Sequence, residues 1–504
     1  MNCDLLLGEC ISLSPAEITF GTDGWRAVVG EDFNEDNLVR VARATAQAFL
    51  ELAAKSDNAA AQRIYLGYDT RDGAQGFATL VADAMSASGL EIVLSDRYIP
   101  TPTLCWTVAQ DETALGGVQL TASHNPAGWL GLKVRMSDGG ASPAEFTDEI
   151  EELLSCEDFA RMSAPAPTST GTAYLEPFSY DSTNPVITKD VLTPYLDALC
   201  QFVDAELIQK AQLKVVVDPL YGAARGYLAD VFERLGVEVV RLHDDCDPSF
   251  GGLHPEPIPP WTDGAAALVK EVGAQAGFVT DGDADRLGAI DEKGTFVSPH
   301  IIIALIAQHL VENRKQSGRI IKTLSTSVLV DRIGRELGVE VSTTAIGFKW
   351  IYEEMLAGDV LIGGEESGGI GIPSHVRERD GLLMSLLLAE MMATTGLSLM
   401  SLVEQLESRT GKLYYQRSDV RLDPAHMERF RCALPTLAPS HIANTAVEEH
   451  VHIDGAKFLL ADDEWLLLRT SGTEPLVRIY AEATSPARLE ELLATGNNLV
   501  QESR

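Results

Sequence analysis

The stretch ERLGVEVVRL, residues 233–242, decides the fold, because a helical segment ends there at a glycine and a β-branched run follows. A glycine suits the left-handed conformation just beyond a helix, and the run after it is typical of a buried strand. The stretches SASGLEIVL at 86–94 and RELGVEVSTT at 335–344 have the same form. The sequence therefore contains a threefold internal similarity.

A further β-type run precedes each of these three helices, at 64–69, 213–220 and 319–325. Strand–helix–strand units of this kind favour a parallel sheet with helices on its faces. The three units therefore predict three similar α/β domains with mixed, mostly parallel sheets.

Polar, glycine-containing loops follow the next apolar strand of each unit. They are GVQLTASHNP at 117–126, AGFVTDGDADR at 276–286 and VLIGGEESGG at 360–369. Ligands of open α/β sheets gather at the carboxyl ends of the strands. We therefore expect the three loops to meet at one central cleft.

The last part of the chain lacks this pattern. The strand-like runs WLLLRTS and VRIYAEA surround a Gly-Thr-Glu-Pro turn, and a helix follows from residue 486 to residue 500. This predicts a small C-terminal α+β domain. The expected domains are residues 1–185, 186–305, 306–420 and 421–504.

The composition limits the classes of partner. The chain has 504 residues, 45% of them hydrophobic, and a formal net charge of −35. Duplex nucleic acids and anionic membranes require basic patches, so the charge argues against both. The most apolar run, 381–399, is interrupted by Glu390 and predicts a buried helix rather than a membrane span.

The expected compartment is the cytoplasm. The seven cysteines are scattered and form no CxxC pair, which is typical of free thiols in a reducing compartment. The first ten residues, MNCDLLLGEC, lack the basic start of a secretory signal. Both a monomer and a dimer are compatible with the sequence.

The loop DGDADR, residues 281–286, is a candidate metal site. Asp281, Asp283 and Asp285 alternate with small residues, and in an extended loop alternate side chains point the same way. All-oxygen ligands select a hard cation such as Mg²⁺. An EF-hand is excluded, because Arg286 stands where that loop requires glycine. The remaining alternative is a solvated acidic turn.

The loop TASHNP, residues 121–126, contains a candidate nucleophile. Ser123 follows an apolar strand, and His124 next to it offers a proton acceptor. No GxSxG motif surrounds the serine, so a hydrolase triad is not supported. On its own the loop is equally compatible with an Asn-Pro turn and an uninvolved serine. Upstream, the turn-rich segment FGTDGWRA at 20–27 places Arg26 where it could face a phosphate.

Two further loops carry clusters of polar side chains. In GGEESGG, residues 363–369, a carboxylate and a hydroxyl two residues apart suit adjacent sugar hydroxyls. The alternative is a tight turn with exposed acids. Arg377 and Arg379 follow the GGEESGG loop. They could bring positive charge to an anionic ligand, and the alternative is a salt-bridged surface loop. In RTSGTEPLVR, residues 469–478, two arginines flank a glycine-containing turn of a kind that binds phosphate. The alternative is a hairpin turn with charged residues on the surface.

Taken together, and in their order along the chain, the five segments resemble the α-D-phosphohexomutase superfamily, the phosphoglucomutase/phosphomannomutase enzymes. TASHNP, DGDADR, GEES and RTSGTEP are jointly specific, although each alone is not. The resemblance implies four domains, of which the first three share one α/β topology and the fourth closes over the cleft. One departure is LGLK at 130–133, where the family often has Asn-Gly-Phe-Lys.

The resemblance also implies a role for individual residues. The catalytic group consists of Ser123 as the phosphoserine, His124, Arg26 and Lys133. Mg²⁺ would be held by Ser123, Asp281, Asp283 and Asp285. The substrate-binding residues are Arg286, Lys349, Glu365, Ser367 and Arg379. The residues for the non-reacting phosphate are Arg469, Ser471, Gly472, Thr473 and Arg478. Arginine does not give up a proton, so Arg379 is not assigned as the general base, which stays open.

The implied activity is that of a phosphoglucomutase, an isomerase that interconverts glucose 1-phosphate and glucose 6-phosphate through the phosphoserine. Glucose 1,6-bisphosphate would be the intermediate and the primer. Phosphomannomutase activity, glucose 1,6-bisphosphate synthesis from a sugar bisphosphate donor, and a non-catalytic binding protein on the same fold are the alternatives. The glucosamine branch is disfavoured, because its motifs usually differ from GTDGWR and GEESGG.

Overall fold

The computed structural model describes residues 18–21, 23–55, 62–156, 185–471 and 475–502. Its first sheet has the strands β1 (Trp25–Val28), β2 (Arg63–Tyr68), β3 (Glu91–Ser95), β4 (Ala114–Leu120), β5 (Trp129–Met136) and β6 (Val186–Lys189). The helices of this part are α1 (Glu35–Lys55), α2 (Ala74–Ala87), α3 (Thr101–Ala109) and α4 (Ala144–Ser155). The strand order is β1-β5-β4-β2-β3-β6.

The second sheet is built from β7 (Lys214–Asp218), β8 (Glu238–Arg241), β9 (Ala276–Thr280), β10 (Leu287–Asp291) and β11 (Phe296–Val297). The helices of this part are α5 (Leu192–Phe202), α6 (Ala205–Ala211), α7 (Tyr227–Arg234) and α8 (Asp263–Val272). The strand order is β11-β10-β9-β7-β8.

The third sheet is built from β12 (Arg319–Thr323), β13 (Val341–Thr344), β14 (Val360–Gly364) and β15 (Ile370–Gly371), in the order β13-β12-β14-β15. The helices of this part are α9 (Pro299–Gln308), α10 (Leu329–Leu337), α11 (Phe348–Ala357), α12 (Gly381–Thr395) and α13 (Leu399–Thr410).

The C-terminal part has a five-stranded antiparallel sheet and a small two-stranded ribbon. The strands are β16 (Tyr414–Arg421), β17 (His441–Ile442), β18 (Thr445–Ala446), β19 (Glu449–Val451), β20 (Ala456–Leu459), β21 (Trp465–Thr470) and β22 (Leu476–Ala483). The helices are α14 (Pro424–Ala433) and α15 (Pro486–Glu502). The larger sheet has the order β16-β22-β21-β20-β19, and β17 pairs with β18.

The first three sheets share one topology. In each, a central strand (β2, β7 or β12) has parallel neighbours on both sides. One of these neighbours (β4, β9 or β14) also pairs with the next strand along the chain in an antiparallel hairpin. The glycines after the three helices, Gly89, Gly236 and Gly338, have φ angles of 103°, 78° and 68°. These are left-handed values that glycine adopts without steric cost. The predicted threefold repeat and the predicted fold class are confirmed.

Hydrogen bonding between strands shows where the sheets begin and end. β6 pairs with β3 in the first sheet, and β16 pairs with β22 in the last. The boundaries expected at 185/186 and 420/421 therefore cut these sheets, and the boundary at 305/306 lies inside α9. Strand pairing between distant segments leaves no trace in local composition, which is the physical reason for the difference.

The apolar run at 381–399 forms the buried helix α12 and its connection to α13. Within the described ranges, no single helix has the length and apolar composition to cross a membrane. The pair α12 and α13 meets that test only jointly, across an 84° bend.

Candidate active site

The predicted nucleophile lies in the loop between β4 and β5. Ser123 has a left-handed backbone, with φ of 51°, and its N–H donates to the Thr121 hydroxyl over 2.9 Å. The residue is only 1% exposed. Its hydroxyl donates to Asp281 Oδ2 over 2.9 Å, although 158 residues separate the two in sequence. The structure thus joins the serine loop of the first sheet to the acidic loop of the second.

The three predicted metal ligands converge. One carboxylate oxygen from each of Asp281, Asp283 and Asp285 lies within 4.8 Å of the others, and all three residues are completely buried. The prediction of an extended loop is wrong, because Ala284 has φ of 61° and its N–H donates to the Asp281 carbonyl oxygen over 3.1 Å. A tight turn, rather than side-chain alternation along a strand, brings the acids together.

The acidic loop fits a hard cation. Among the described residues, Oδ1 of Asp283 and Oδ1 of Asp285 have no hydrogen-bond partner. Burial raises the pKa of Asp281 well above its usual value, and the neighbouring carboxylates of Asp285 and Asp283 raise it further. Buried carboxylate oxygens without hydrogen-bond donors are the environment that a divalent ion such as Mg²⁺ stabilises.

Lys133 reaches the acidic loop from β5. Its ammonium is 2.8 Å from Asp283, 3.0 Å from Asp285 and 2.7 Å from Asp23, and the side chain is fully buried. Burial alone would raise the pKa of Asp283, but Lys133 and the Thr101 hydroxyl hold it below its usual value. The predicted residue is therefore in the site, where it contacts acids.

Asp23 is a site residue that the sequence analysis missed. Its carboxylate is 2.6 Å from Arg379, 2.7 Å from Lys133, 2.9 Å from Arg135 and 3.7 Å from Arg26. Burial would raise the pKa of Asp23, but these four cations hold it well below its usual value. The quoted segment FGTDGWRA contains this acid, but three of its four partners lie more than 100 residues away, and the fourth, Arg26 at the start of β1, is also the most distant in space, so no spacing reveals the cluster.

Two predicted residues flank the serine. Arg26 donates to the Asn125 side chain over 2.9 Å and to the Ala122 carbonyl oxygen over 3.3 Å. Nδ1 of His124 is 3.5 Å from the Ser123 hydroxyl. Burial lowers the pKa of His124 well below its usual value, and nearby arginines lower it further. A neutral imidazole at this position can accept a proton from the serine.

The GEES loop faces the same cluster. The Glu365 carboxylate is 3.4 Å from Arg379, which lies 2.7 Å from Asp285. Burial raises the pKa of Glu365 to about 7, although Arg379 opposes the shift. Arg379 is 5% exposed, so the surface-loop alternative is wrong for this residue. Ser367 is half-buried on the same turn.

Arg286 and Lys349 lie in different surroundings. The Arg286 guanidinium is 3.9 Å from Asp281 and 3.8 Å from Glu256, and its backbone bridges to Gly369. Lys349 lies at the start of α11, with its ammonium 4.8 Å from the centre of the Trp350 ring. Within the described chain, Lys349 makes no ion pair with the acids of the site.

The proposed phosphate cradle lies on the hairpin of β21 and β22. Arg469 and Arg478 are directly opposite each other in the strand register, and Arg469 donates to Asp454 over 2.9 Å. Nε of Arg478 has no hydrogen-bond partner among the described residues. The Ser471 N–H donates to the Leu476 carbonyl oxygen over 2.9 Å. The remaining two predicted residues, Gly472 and Thr473, lie outside the described ranges.

The four parts of the chain match, in order, four domains of one enzyme family. They are phosphoglucomutase/phosphomannomutase alpha/beta/alpha domain I at residues 17–161, domain II at 193–294, domain III at 298–409 and the C-terminal domain at 430–495. The chain belongs to the phosphoglucomutase/phosphomannomutase family. It is accordingly a phosphohexomutase, an isomerase that acts by intramolecular phosphoryl transfer.

Relatives with different sugar names are about equally similar. A phosphoglucomutase/phosphomannomutase of Thermococcus kodakarensis is 30% identical, over 96% of this chain and 98% of its own. A phosphoglucosamine mutase of Moorella thermoacetica is 31% identical, over 94% and 97%. The solved structure of a Thermus thermophilus protein, provisionally named a phosphomannomutase, superposes with a TM-score of 0.81 at 33% identity, covering 97% of this chain and 100% of that one. Overall identity therefore does not select the sugar.

Proposed function

We propose that this phosphohexomutase is a phosphoglucomutase, which interconverts glucose 1-phosphate and glucose 6-phosphate through phosphorylated Ser123. The observation that carries the proposal is the buried Ser123 hydroxyl, 2.9 Å from Asp281 in the carboxylate cluster. The GEES sequence of the sugar loop, together with GTDGWR, favours glucose over glucosamine. Glucose 1,6-bisphosphate would prime the enzyme by phosphorylating Ser123.

The residues of the chain divide the work of phosphoryl transfer. Mg²⁺, held by the serine phosphate and the three aspartates, would neutralise charge on the group in transfer. Neutral His124 is positioned to hold the proton of the serine hydroxyl. Glu365 and Ser367 would orient the sugar through its hydroxyls. The cradle of Arg469 to Arg478 would hold the non-reacting phosphate, first at one end of the sugar and then at the other.

A coupled assay with glucose 1-phosphate, catalytic glucose 1,6-bisphosphate and MgCl₂ tests the proposal. We expect turnover that EDTA abolishes and that Ser123→Ala lowers by at least about 10⁴-fold, since the nucleophile is lost. Ser155→Ala is the matched control, because that hydroxyl lies on the exposed end of α4 and donates only to the Glu152 carbonyl oxygen. Turnover by Ser123→Ala at the rate of the wild type would refute the proposal.

The same assay separates the remaining alternatives. Mannose 1-phosphate and glucosamine 1-phosphate as substrates report the sugar preference, and we expect the largest kcat/KM for glucose 1-phosphate. Fructose 1,6-bisphosphate as a stoichiometric donor reports synthase activity, through glucose 1,6-bisphosphate that accumulates. A protein that binds these sugars without turning any of them over would be a binding protein on the same fold.

A further inference from the structure

A buried guanidinium fills the inside of the serine loop. Arg71, in the turn between β2 and α2, is 4% exposed. Its Nη2 donates to the carbonyl oxygens of Ser123 over 2.6 Å and Asn125 over 2.7 Å. Its Nη1 donates to those of Pro126 over 2.7 Å and Trp129 over 3.1 Å. One side chain thus binds four carbonyl oxygens of a seven-residue stretch.

Arg71 is itself held in place. Its Nε donates to Asp69 Oδ2 over 3.0 Å, and its backbone N–H donates to Asp69 Oδ1 over 3.0 Å. The guanidinium also lies 4.8 Å from the centre of the Phe250 ring, which comes from the second α/β unit. All five N–H donors of the guanidinium are occupied, so its orientation is fixed by geometry on every side.

The four bonds dictate how the serine is presented. A left-handed backbone at a residue other than glycine is strained and persists only where its surroundings impose it. The Ser123 carbonyl oxygen accepts from Arg71, while the Ser123 hydroxyl donates to Asp281 of the acidic loop. The acidic loop packs closely against this carbonyl group, because a Cβ atom at Gly282 would lie 2.3 Å from the Ser123 carbonyl oxygen.

We infer that Arg71 is the positioning residue of the phosphoserine loop, and that it sets the distance between the Ser123 hydroxyl and the carboxylate cluster. The inference rests on the proposed function of Ser123. Lysine cannot replace it, because an ammonium has three donors on one atom and cannot span four carbonyl oxygens. Arg71 touches neither the sugar nor its distal phosphate in the proposed mode of binding, so it acts through the loop alone.

The test compares Arg71→Lys with Arg314→Lys. Arg314 is a matched control: its guanidinium also pairs with a buried acid, Glu390, donates to a backbone carbonyl oxygen and lies 5.0 Å from a phenylalanine ring centre, far from the serine loop in sequence. For Arg71→Lys we expect phosphoryl transfer from glucose 1,6-bisphosphate to Ser123 in a single turnover to be slower by roughly 100-fold. The dissociation constant of glucose 6-phosphate should change by less than about threefold, since the loops that would hold the sugar and its phosphate are untouched.

Hydrogen exchange measured by mass spectrometry supplies a readout that a general loss of stability would not move. In Arg71→Lys, the amides of residues 121–129 should exchange faster by roughly tenfold or more, while the other segments keep their rates. If Arg71→Lys does not fold, Asp69→Asn, which keeps the guanidinium but neutralises its anchor, should show the same pattern with smaller changes.

Three outcomes would overturn the inference: transfer at the rate of the wild type, slow transfer with unchanged exchange in the serine loop, or an equal slowing in Arg314→Lys. The proposed function fails separately, if the wild type transfers no phosphoryl group to Ser123. In that case the exchange of residues 121–129 alone decides whether Arg71 holds the loop.

Discussion

Asp23 and Asp281 are carboxylates of one cluster whose pKa values are shifted in opposite directions. Asp23 is surrounded by cations, whereas Asp281 lies among other acids. The first arrangement is complete within the chain and stabilises the folded protein. In the second, Oδ1 of Asp283 and Oδ1 of Asp285 have no hydrogen-bond partner among the described residues, which distinguishes candidate metal ligands from a structural acid in the same cluster.

Substituting Asp23 by asparagine should destabilise the fold. Removing one partner of a buried ion pair costs about 3–5 kcal/mol, which corresponds to a fall in melting temperature of roughly 10 °C for a domain of this size. Asp197→Asn, in a half-exposed pair with Arg234, should shift it by less than about 2 °C. Calorimetry of both variants at neutral pH is the measurement.

The pH dependence of the Asp23 effect has a definite sign. The pKa of Asp23 is lowered in the folded protein, so its stabilising contribution is complete above its unfolded value of about 3.9 and is lost as the pH falls further. The melting temperatures of the wild type and Asp23→Asn should therefore converge in acid. A constant difference between them down to the lowest pH at which both fold would contradict the account.

Glu365 should give the reaction a pH dependence near neutrality. Its pKa is raised to about 7, and the carboxylate form accepts stronger hydrogen bonds from sugar hydroxyls than the neutral acid does. The ratio of kcat/KM in the wild type to that in Glu365→Gln should therefore rise with pH through about 7. Titration of the substrate phosphate is common to both proteins and cancels in the ratio. A ratio independent of pH would contradict the assigned role.

At the scale of elements, the β21–β22 hairpin carries the two arginines that we propose bind a phosphate. Like charges directly opposite each other destabilise a sheet, yet Arg469 and Arg478 face each other across it. Asp454 compensates Arg469, whereas Arg478 Nε lacks a hydrogen-bond partner in the described part of the chain. A phosphate between the two guanidinium groups would satisfy both.

Arg478→Ala should separate binding from stability. Loss of one charged hydrogen-bond donor to phosphate is expected to raise KM by about 10- to 100-fold, equivalent to about 1.5–3 kcal/mol. The melting temperature should stay the same or rise slightly, because a repulsion is removed. Arg431→Ala on α14, in an exposed pair with Glu428, is the control and should leave both values unchanged. A lower melting temperature with an unchanged KM would show that Arg478 is structural.

The elements differ in how far the sequence predicts them. The turns after β4, β9 and β14 carry their chemistry in contiguous motifs, and glycines such as Gly338 mark helix ends, so local pattern was sufficient. The path of the acidic loop depends on the left-handed Ala284, for which the sequence has no signal. Each of Asp23 and Arg71 has one partner close in sequence, Arg26 and Asp69, but acquires its remaining partners only through tertiary packing. Strand β16 joins the last sheet by pairing with β22, more than 50 residues later in the chain, and composition does not reveal that pairing.

At the scale of the whole molecule, the C-terminal sheet contacts the third α/β unit through hydrogen bonds and apolar packing. The buried Nζ of Lys457 donates to the Leu324 carbonyl oxygen over 2.7 Å, and Glu482 accepts from the Val328 N–H over 2.9 Å. Leu324 packs in one apolar cluster with three residues of the C-terminal sheet, which are Trp465, Leu467 and Tyr480. If the C-terminal part acts as a lid, this contact must move with it or open.

Lys457 makes this contact sensitive to pH. Burial lowers the pKa of Lys457 to about 7, and Lys322 lowers it further. Between about pH 7 and 10.4, the unfolded chain binds a proton that the folded protein does not, so stability rises with pH over this range. Lys457→Met should reduce the rise in melting temperature, whereas exposed Lys210→Met should not. Parallel pH profiles for Lys457→Met and the wild type would contradict the buried, neutral amine.

The central claim, that Ser123 carries the phosphoryl group, is tested most directly by peptide mass spectrometry. The purified protein is incubated with glucose 1,6-bisphosphate and MgCl₂, and samples are taken before and after a chase with excess glucose 6-phosphate. The account predicts phosphate on Ser123 that the chase removes. An enzyme that turns over glucose 1-phosphate while Ser123 stays unmodified, or while another residue gains and loses the phosphate, would contradict it.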